Sequence, residues 1–176
     1  MAIWTIDPLH SEINFKIKHL MISTVSGKFS TFEATVETEG DDDFNNAKVS
    51  FSAHIDSITT GNEQRDGHLK SDDFFNAESF PKLTFERGIL STVSGSKMTL
   101  TGDLTIRETT KKISLDVVFA GLMTDFYGNL KAGFEAVGGI NRKDFGLKWS
   151  ATTEAGGIVV SDEIKLALDI QLQKQA

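Results

Sequence analysis

The sequence predicts an all-β protein, a closed antiparallel barrel of about eight strands, and three observations lead there. Apolar residues recur at every second position in one segment after another. One pair of these segments, 98–106 and 113–119, reads as a long hairpin. The whole set fits within 176 residues at 39% hydrophobic content, enough for one well-buried core and too short for two, so residues 1–176 are read as a single domain.

Taken in order, Trp4 and Ile6 alternate with Thr5 and Asp7, and Ile13, Phe15 and Ile17 alternate with Glu12, Asn14, Lys16 and Lys18. Extending that parity turns His19 inward. Phe29 falls out of phase with Phe32, Ala34 and Val36, so an extra residue must be absorbed near Ser30, as a bulge does. Gly40 to Asn46 reads as a solvated acidic turn. Val49, Phe51, Ala53 and Ile55 share the inner face of the next strand, which leaves His54 outside with Lys48 and Ser52. Thr60 and Glu63 stand in capping-box spacing, which predicts a short helix near 62–71 carrying Arg65, His68 and Leu69 on one side.

Leu83 and Phe85 begin the second half of the barrel. Met98, Leu100, Gly102, Leu104 and Ile106 pair across a turn at Glu108 to Thr110 with Ile113, Leu115, Val117 and Phe119. Leu130, Ala132, Phe134 and Ala136 follow, with Gly138 and Gly139 suiting a barrel corner. Gly156 and Gly157 read as a turn before the last strand, Ile164 to Leu172.

Composition excludes several function classes. A net charge of −7 and a pI near 5.1 repel phosphate backbones, so nucleic acid is not an expected partner. There are no cysteines, hence no thiolate metal site, disulfide or cysteine nucleophile. No apolar run approaches a membrane span, and no basic and apolar leader precedes Trp4, so a soluble cytoplasmic protein is expected from the chain as written, or a periplasmic one if it is a mature form.

Thirteen phenylalanines against one tyrosine supply apolar surface with few polar handles. They suit a cavity lined by Phe15, Ile17, Phe32, Phe51, Phe85, Leu104, Leu115, Phe119, Phe134 and Leu166, or equally rings that pack on one another. His19, Arg65 and His68 are the candidate polar contacts at its entrance. An alternative is a hydrolase acting on an apolar substrate through Asp66, His68 and Ser71, which have the residue types of a triad without its local signature. A weaker one is a metal site of His68 and Asp72 with His10 or Asp7. No catalytic residue, metal or cofactor is assigned.

Several blocks carry a resemblance. IDPLHS (6–11), KHLMISTVSGKF (18–29), TGNEQRDGHLKSDDFF (60–75), FPKLTFE (80–86), LTGDLTI (100–106) and AGFEAVGGINRKDFGL (132–147) are similar to signatures of the YceI-like family of bacterial polyisoprenoid-binding proteins. The resemblance covers essentially the whole chain. It implies an extended, lipocalin-like eight-stranded barrel whose tunnel holds a polyisoprenoid, an isoprenoid quinone-like or a fatty-acid-like lipid, for carriage, storage or stress protection. A homodimer and a binding protein without enzymatic activity are implied too. Asp7, His10, Ser11, His19, Asn62, Arg65, Asp66, His68 and Ser71 match recurrent polar positions, whereas Lys131, Tyr127 and Glu108 depart from the family's usual arginine, tryptophan and glycine.

Overall fold

The alternating segments do form strands. In the computed structural model, which describes residues 1–20, 22–147 and 160–176, they are β1 (Ala2–Ile6), β2 (Glu12–His19), β3 (Ser23–Phe29), β4 (Phe32–Thr38), β5 (Ala47–His54), β6 (Ile58–Thr59), β7 (Lys82–Ser94), β8 (Lys97–Ile106), β9 (Thr109–Thr124), β10 (Leu130–Asn141) and β11 (Val160–Lys174). One helix, α1 (Glu63–Leu69), follows β6.

The strands pair in the order β1-β4-β5-β7-β8-β9-β10-β11, and β11 closes the ring on β1 through Ile6↔Leu172. Farther along, β11 pairs with β2 through Leu168↔Ile13, and β3 and β6 continue that side. Every pairing is antiparallel. Three staves are bent, β1 with β2, β3 with β4 and β5 with β6; with β7 to β11 they make an eight-stranded closed antiparallel barrel. No helix among the described residues is long and apolar enough to cross a membrane.

Two bends have visible causes. Between β1 and β2, Asp7 caps the 3-10 turn Pro8–His10 by accepting from Leu9 N, and proline at the first position suits that turn. Between β3 and β4 the phase shift at Ser30 is not a one-residue bulge. Ser30 and Thr31 belong to neither strand, although Thr31 O still accepts from His54 N, and Ser30 N and Oγ both donate to Ser57 O. Phe29 and Phe32 can then both be buried although their parities disagree.

Other expectations are corrected locally. The helix cap is Asn62, whose Oδ1 accepts from Arg65 N, because Gly61 at φ +81° turns the chain between Thr60 and the helix. The β8–β9 turn is Arg107 and Glu108, one residue earlier than expected: Ile106 pairs with Thr109, and the Thr105 and Thr110 hydroxyls bond at 2.7 Å within the ladder. The segment at 40–46 is not wholly solvated, since Phe44 is buried and packs against Trp4 with centroids 4.9 Å apart. In β10, Gly138 lets Leu115 approach closely, as an added Cβ would meet Leu115 Cδ2. The turn expected at Gly156 and Gly157 lies outside the described residues.

Candidate functional site

Strand parity aims one row of apolar side chains from each stave at the barrel axis. At one end the interior is filled. Phe44 lies within 5.0 Å of Phe134 and 5.7 Å of Phe119 by ring centroids, and with Trp4 these rings plug the barrel. Above the plug the side chains no longer meet across the axis. Phe15, Ile17, Phe51, Leu166, Leu168 and Ile170 point inward yet keep accessible surface, and together with their neighbours they enclose a cavity of about 370 Å³. Core and cavity, which parity alone leaves as alternatives, are thus both present, stacked along one axis.

The ten candidate apolar residues divide accordingly. Phe15, Ile17, Phe51, Phe85, Leu104, Leu115, Phe134 and Leu166 line the cavity. Phe32 and Phe119 are not among its lining residues. Phe32 is buried and stacks on Phe51 at 6.4 Å. Phe119 lies beside Phe44, in the plug, because β9 carries an extra residue there: Phe119 opposes Phe134 and Gly121 opposes Gly133, leaving Ala120 between them.

Glycines position two of the lining rings. A Cβ at Gly27 would fall on the Phe15 ring, and one at Gly88 or Gly102 on the Phe85 ring. Phe15 therefore lies over glycine backbone on the neighbouring β3, and Phe85 over Gly88 of its own strand and Gly102 of β8.

The polar candidates collect at the opposite end from the plug. β2, β6 and β10 all run toward it, so the end of β2 (His19), the helix after β6 (Arg65, His68) and the 3-10 turn Arg142–Phe145 after β10 emerge together. Lys18, His19, Thr60, Arg65, His68 and Arg142 all line the cavity here, and since Lys18 and Arg65 are exposed, this end is the mouth. Among the described residues no aspartate or glutamate lines the cavity.

Arg65 Nε donates to Thr60 Oγ1 at 2.7 Å and Nη2 to Thr60 O at 2.8 Å, while Thr60 Oγ1 donates to Asp66 Oδ1 at 2.6 Å. The brace on Arg65 is a threonine, held in turn by a buried aspartate. His68 Nε2 lies 2.8 Å from Asp73 Oδ2, and its ring meets Phe74 edge-on. Arg142 is 1% exposed. Its guanidinium donates to the carbonyls of Ser161 (2.9 Å) and Leu147 (2.6 Å); burial pulls its pKa down, with Asp162 acting against that from 3.8 Å.

The remaining polar positions do not face the cavity. Asp7 binds Lys131 Nζ and His10 Nδ1, each at 2.8 Å, on the outside of the barrel. Burial works to raise the Asp7 pKa, but the bonds from Lys131 and His10 outweigh it and hold the carboxyl at about 2. Ser11 Oγ accepts from Gln171 N, and Asn62 caps α1. The triad types are likewise occupied otherwise: Asp66 accepts from Thr60 N and Oγ1, and the Ser71 hydroxyl donates to the His68 backbone carbonyl rather than to its ring. Of the residues weighed for a metal, Asp72 is engaged by Arg107 at 2.9 Å and Asp7 by Lys131. Among the described residues no group of three or more histidines and carboxylates is placed to hold a metal ion.

Sequence reasoning missed Phe44, Arg142, Phe74 and Phe75. Phe44 had one signal, a lone large apolar residue inside an acidic turn. Arg142 had none, since a cation in a polar run reads as solvated.

A family model for the YceI-like domain matches residues 4–172. The UPF0312 protein of Staphylococcus aureus strain MSSA476 is 40% identical over 167 residues, 94% of each chain. Among solved structures, the Campylobacter jejuni YCEI protein superposes with a TM-score of 0.75 at 32% identity, covering 92% of this chain and 91% of its own. Burkholderia cenocepacia BcnA (TM-score 0.80, 20% identity, 94% and 98% covered) and a polyisoprenoid binding domain from Saccharophagus degradans (TM-score 0.73, 14% identity, 98% of each) share the fold.

Proposed function

The chain belongs to the YceI-like domain family, and on that premise we propose that it binds a long-chain polyisoprenoid or related amphipathic lipid within the barrel, without chemically changing it, for carriage or storage. Family and fold are those of a binding protein for apolar ligands, and the observation that carries the finer reading is the cavity itself. Among the described residues its wall is apolar on every stave, with polar groups confined to one end. Such a site takes a chain by burial rather than by hydrogen bonding. At about 0.8 kcal/mol per methylene, ten enclosed methylenes contribute roughly 8 kcal/mol, or micromolar affinity before ordering costs. A volume of about 370 Å³ lies at the low end of small-molecule sites.

The test is native mass spectrometry of the purified protein, followed by lipid extraction. One lipid chain per protomer is expected, and a delipidated sample should take up a polyprenol. Failure to retain any polyprenol or fatty acid overturns the reading. A homodimer is part of the proposal, and the exposed Met123, Phe126 and Tyr127 around the β9–β10 turn are the apolar surface best suited to it. Phe126→Asp should then shift the sedimentation coefficient to that of a monomer.

A further inference from the structure

Resting on the reading of the barrel as a lipid binder, we propose that its mouth recognises a two-oxygen anionic head, a carboxylate or a phosphate, and that Arg65 is the residue that binds it. Among the described residues, the titratable side chains lining the cavity are Lys18, His19, Arg65, His68 and Arg142, all basic, in a chain with twenty-five acidic and eighteen basic residues. Asp66 and Asp73 stand behind these groups, bound to Thr60 and His68, Asp162 pairs with both Lys143 and Arg142, and none of the three lines the cavity.

Arg65 is the group built for the task. A guanidinium has five N–H donors in a planar fork. Thr60 takes one from Nε and one from Nη2, so three remain without a partner among the described residues. Thr60 occupies the Nε/Nη2 edge, and the three left over include one hydrogen on each of Nη1 and Nη2 at the end of the guanidinium, a pair that a carboxylate or phosphate engages with two oxygens. The Asp66–Thr60–Arg65 chain fixes the plane of the guanidinium before any ligand arrives, which lowers the ordering cost of binding. His19 adds a second donor. It ends β2 facing the cavity, and its ring has no partner among the described residues. Buried Arg142 adds positive charge to the same end, offset in part by Asp162 at 3.8 Å. An anionic head is costly to bury in the apolar barrel and inexpensive to hold here, so the same geometry sets the ligand's direction: chain inward, head at Arg65.

Three probes of equal chain length separate the possibilities: hexadecanoic acid, hexadecyl phosphate and hexadecanol, titrated calorimetrically into the delipidated protein. The wild type should prefer at least one anion to the alcohol by about tenfold to a hundredfold, the range of a charge-assisted hydrogen bond. Preference for one anion alone identifies the head. Arg65→Met should remove the preference while leaving hexadecanol affinity in place, and Arg65→Lys, which keeps charge but not the fork, should retain only part of it. The proposal is overturned if the wild type binds alcohol and anions equally, if Arg65→Met keeps the preference, or if that variant weakens all three probes alike, which marks Arg65 as a brace. Should Arg65→Met not fold, Arg65→Lys decides by the same comparison. Binding of none of the three probes by the wild type overturns the barrel reading itself, a result distinct from equal binding.

Discussion

Asp7 shows how a single side chain can join distant parts of the sequence. It caps the turn between β1 and β2, and its carboxylate bonds to Lys131 on β10, so the two staves are pinned outside the barrel. Lysine supplies one point contact where a guanidinium would supply a fork, yet with the bonds from His10 and Leu9 N it outweighs burial and holds the Asp7 pKa at about 2. The sign of the linkage follows. A carboxyl whose folded pKa is depressed contributes stability above its unfolded value near 4 and loses it as pH falls toward the folded value. Thermal melts of wild type and Asp7→Asn should therefore differ by up to about 2 kcal/mol at neutral pH and converge between pH 4 and 2. A constant gap down to pH 2 would mean that the Asp7 charge is irrelevant. At the same scale, Gly27→Val should push the Phe15 ring off its glycine seat into the cavity, lowering lipid uptake more than melting temperature. His54, by contrast, lies on the outer face with only a 3.5 Å approach to Glu33, and His54→Ala should change stability by less than about 0.5 kcal/mol by thermal melting and leave uptake unchanged.

At the scale of elements, the 40–46 loop closes one end of the barrel and α1 borders the mouth at the other. Phe44 inserts among Trp4, Phe119 and Phe134, and its loop is tied to β7 where Asn45 Oδ1 accepts from Thr92 N. Phe44→Ala should cost about 3 to 5 kcal/mol in chemical denaturation, the range for a buried phenylalanine, because the plug cannot collapse without moving three strands. The strands were legible because burying one face imposes period two on them, and a long hairpin such as β8–β9 repeats that signal on both arms. The loop was not, since one apolar residue has no period. The helix was legible in type and place but not in its cap, because Thr60 and Asn62 both offer a capping oxygen and only the turn at Gly61 decides between them. The polar mouth was legible for His19, from strand parity, and for Arg65 and His68, from helical spacing. Arg142 reaches it through a 3-10 turn that no pattern announces.

For the molecule as a whole, the inward rows of the staves are too small to meet across the upper half of the barrel, and that mismatch leaves a cavity in a fold that could have been solid. Ala34 and Ala136 both line the cavity, from β4 and β10. In a filled interior, enlarging either side chain forces off-rotamer packing and costs about 1 to 3 kcal/mol. In a cavity, the added methylenes gain contacts and exclude the ligand instead. Ala136→Leu should therefore raise the stability of the delipidated protein by about 0.5 to 2 kcal/mol, equivalent to a few degrees in Tm for a chain of this length, while weakening polyprenol uptake. The opposite signs are the point: a solid core predicts loss of stability, and an unrelated surface site predicts unchanged uptake. Thermal melts of wild type and Ala136→Leu with and without polyprenol measure both at once, since a ligand that binds the folded state raises Tm in proportion to its occupancy, and the ligand-induced rise should shrink in the variant as its own baseline climbs.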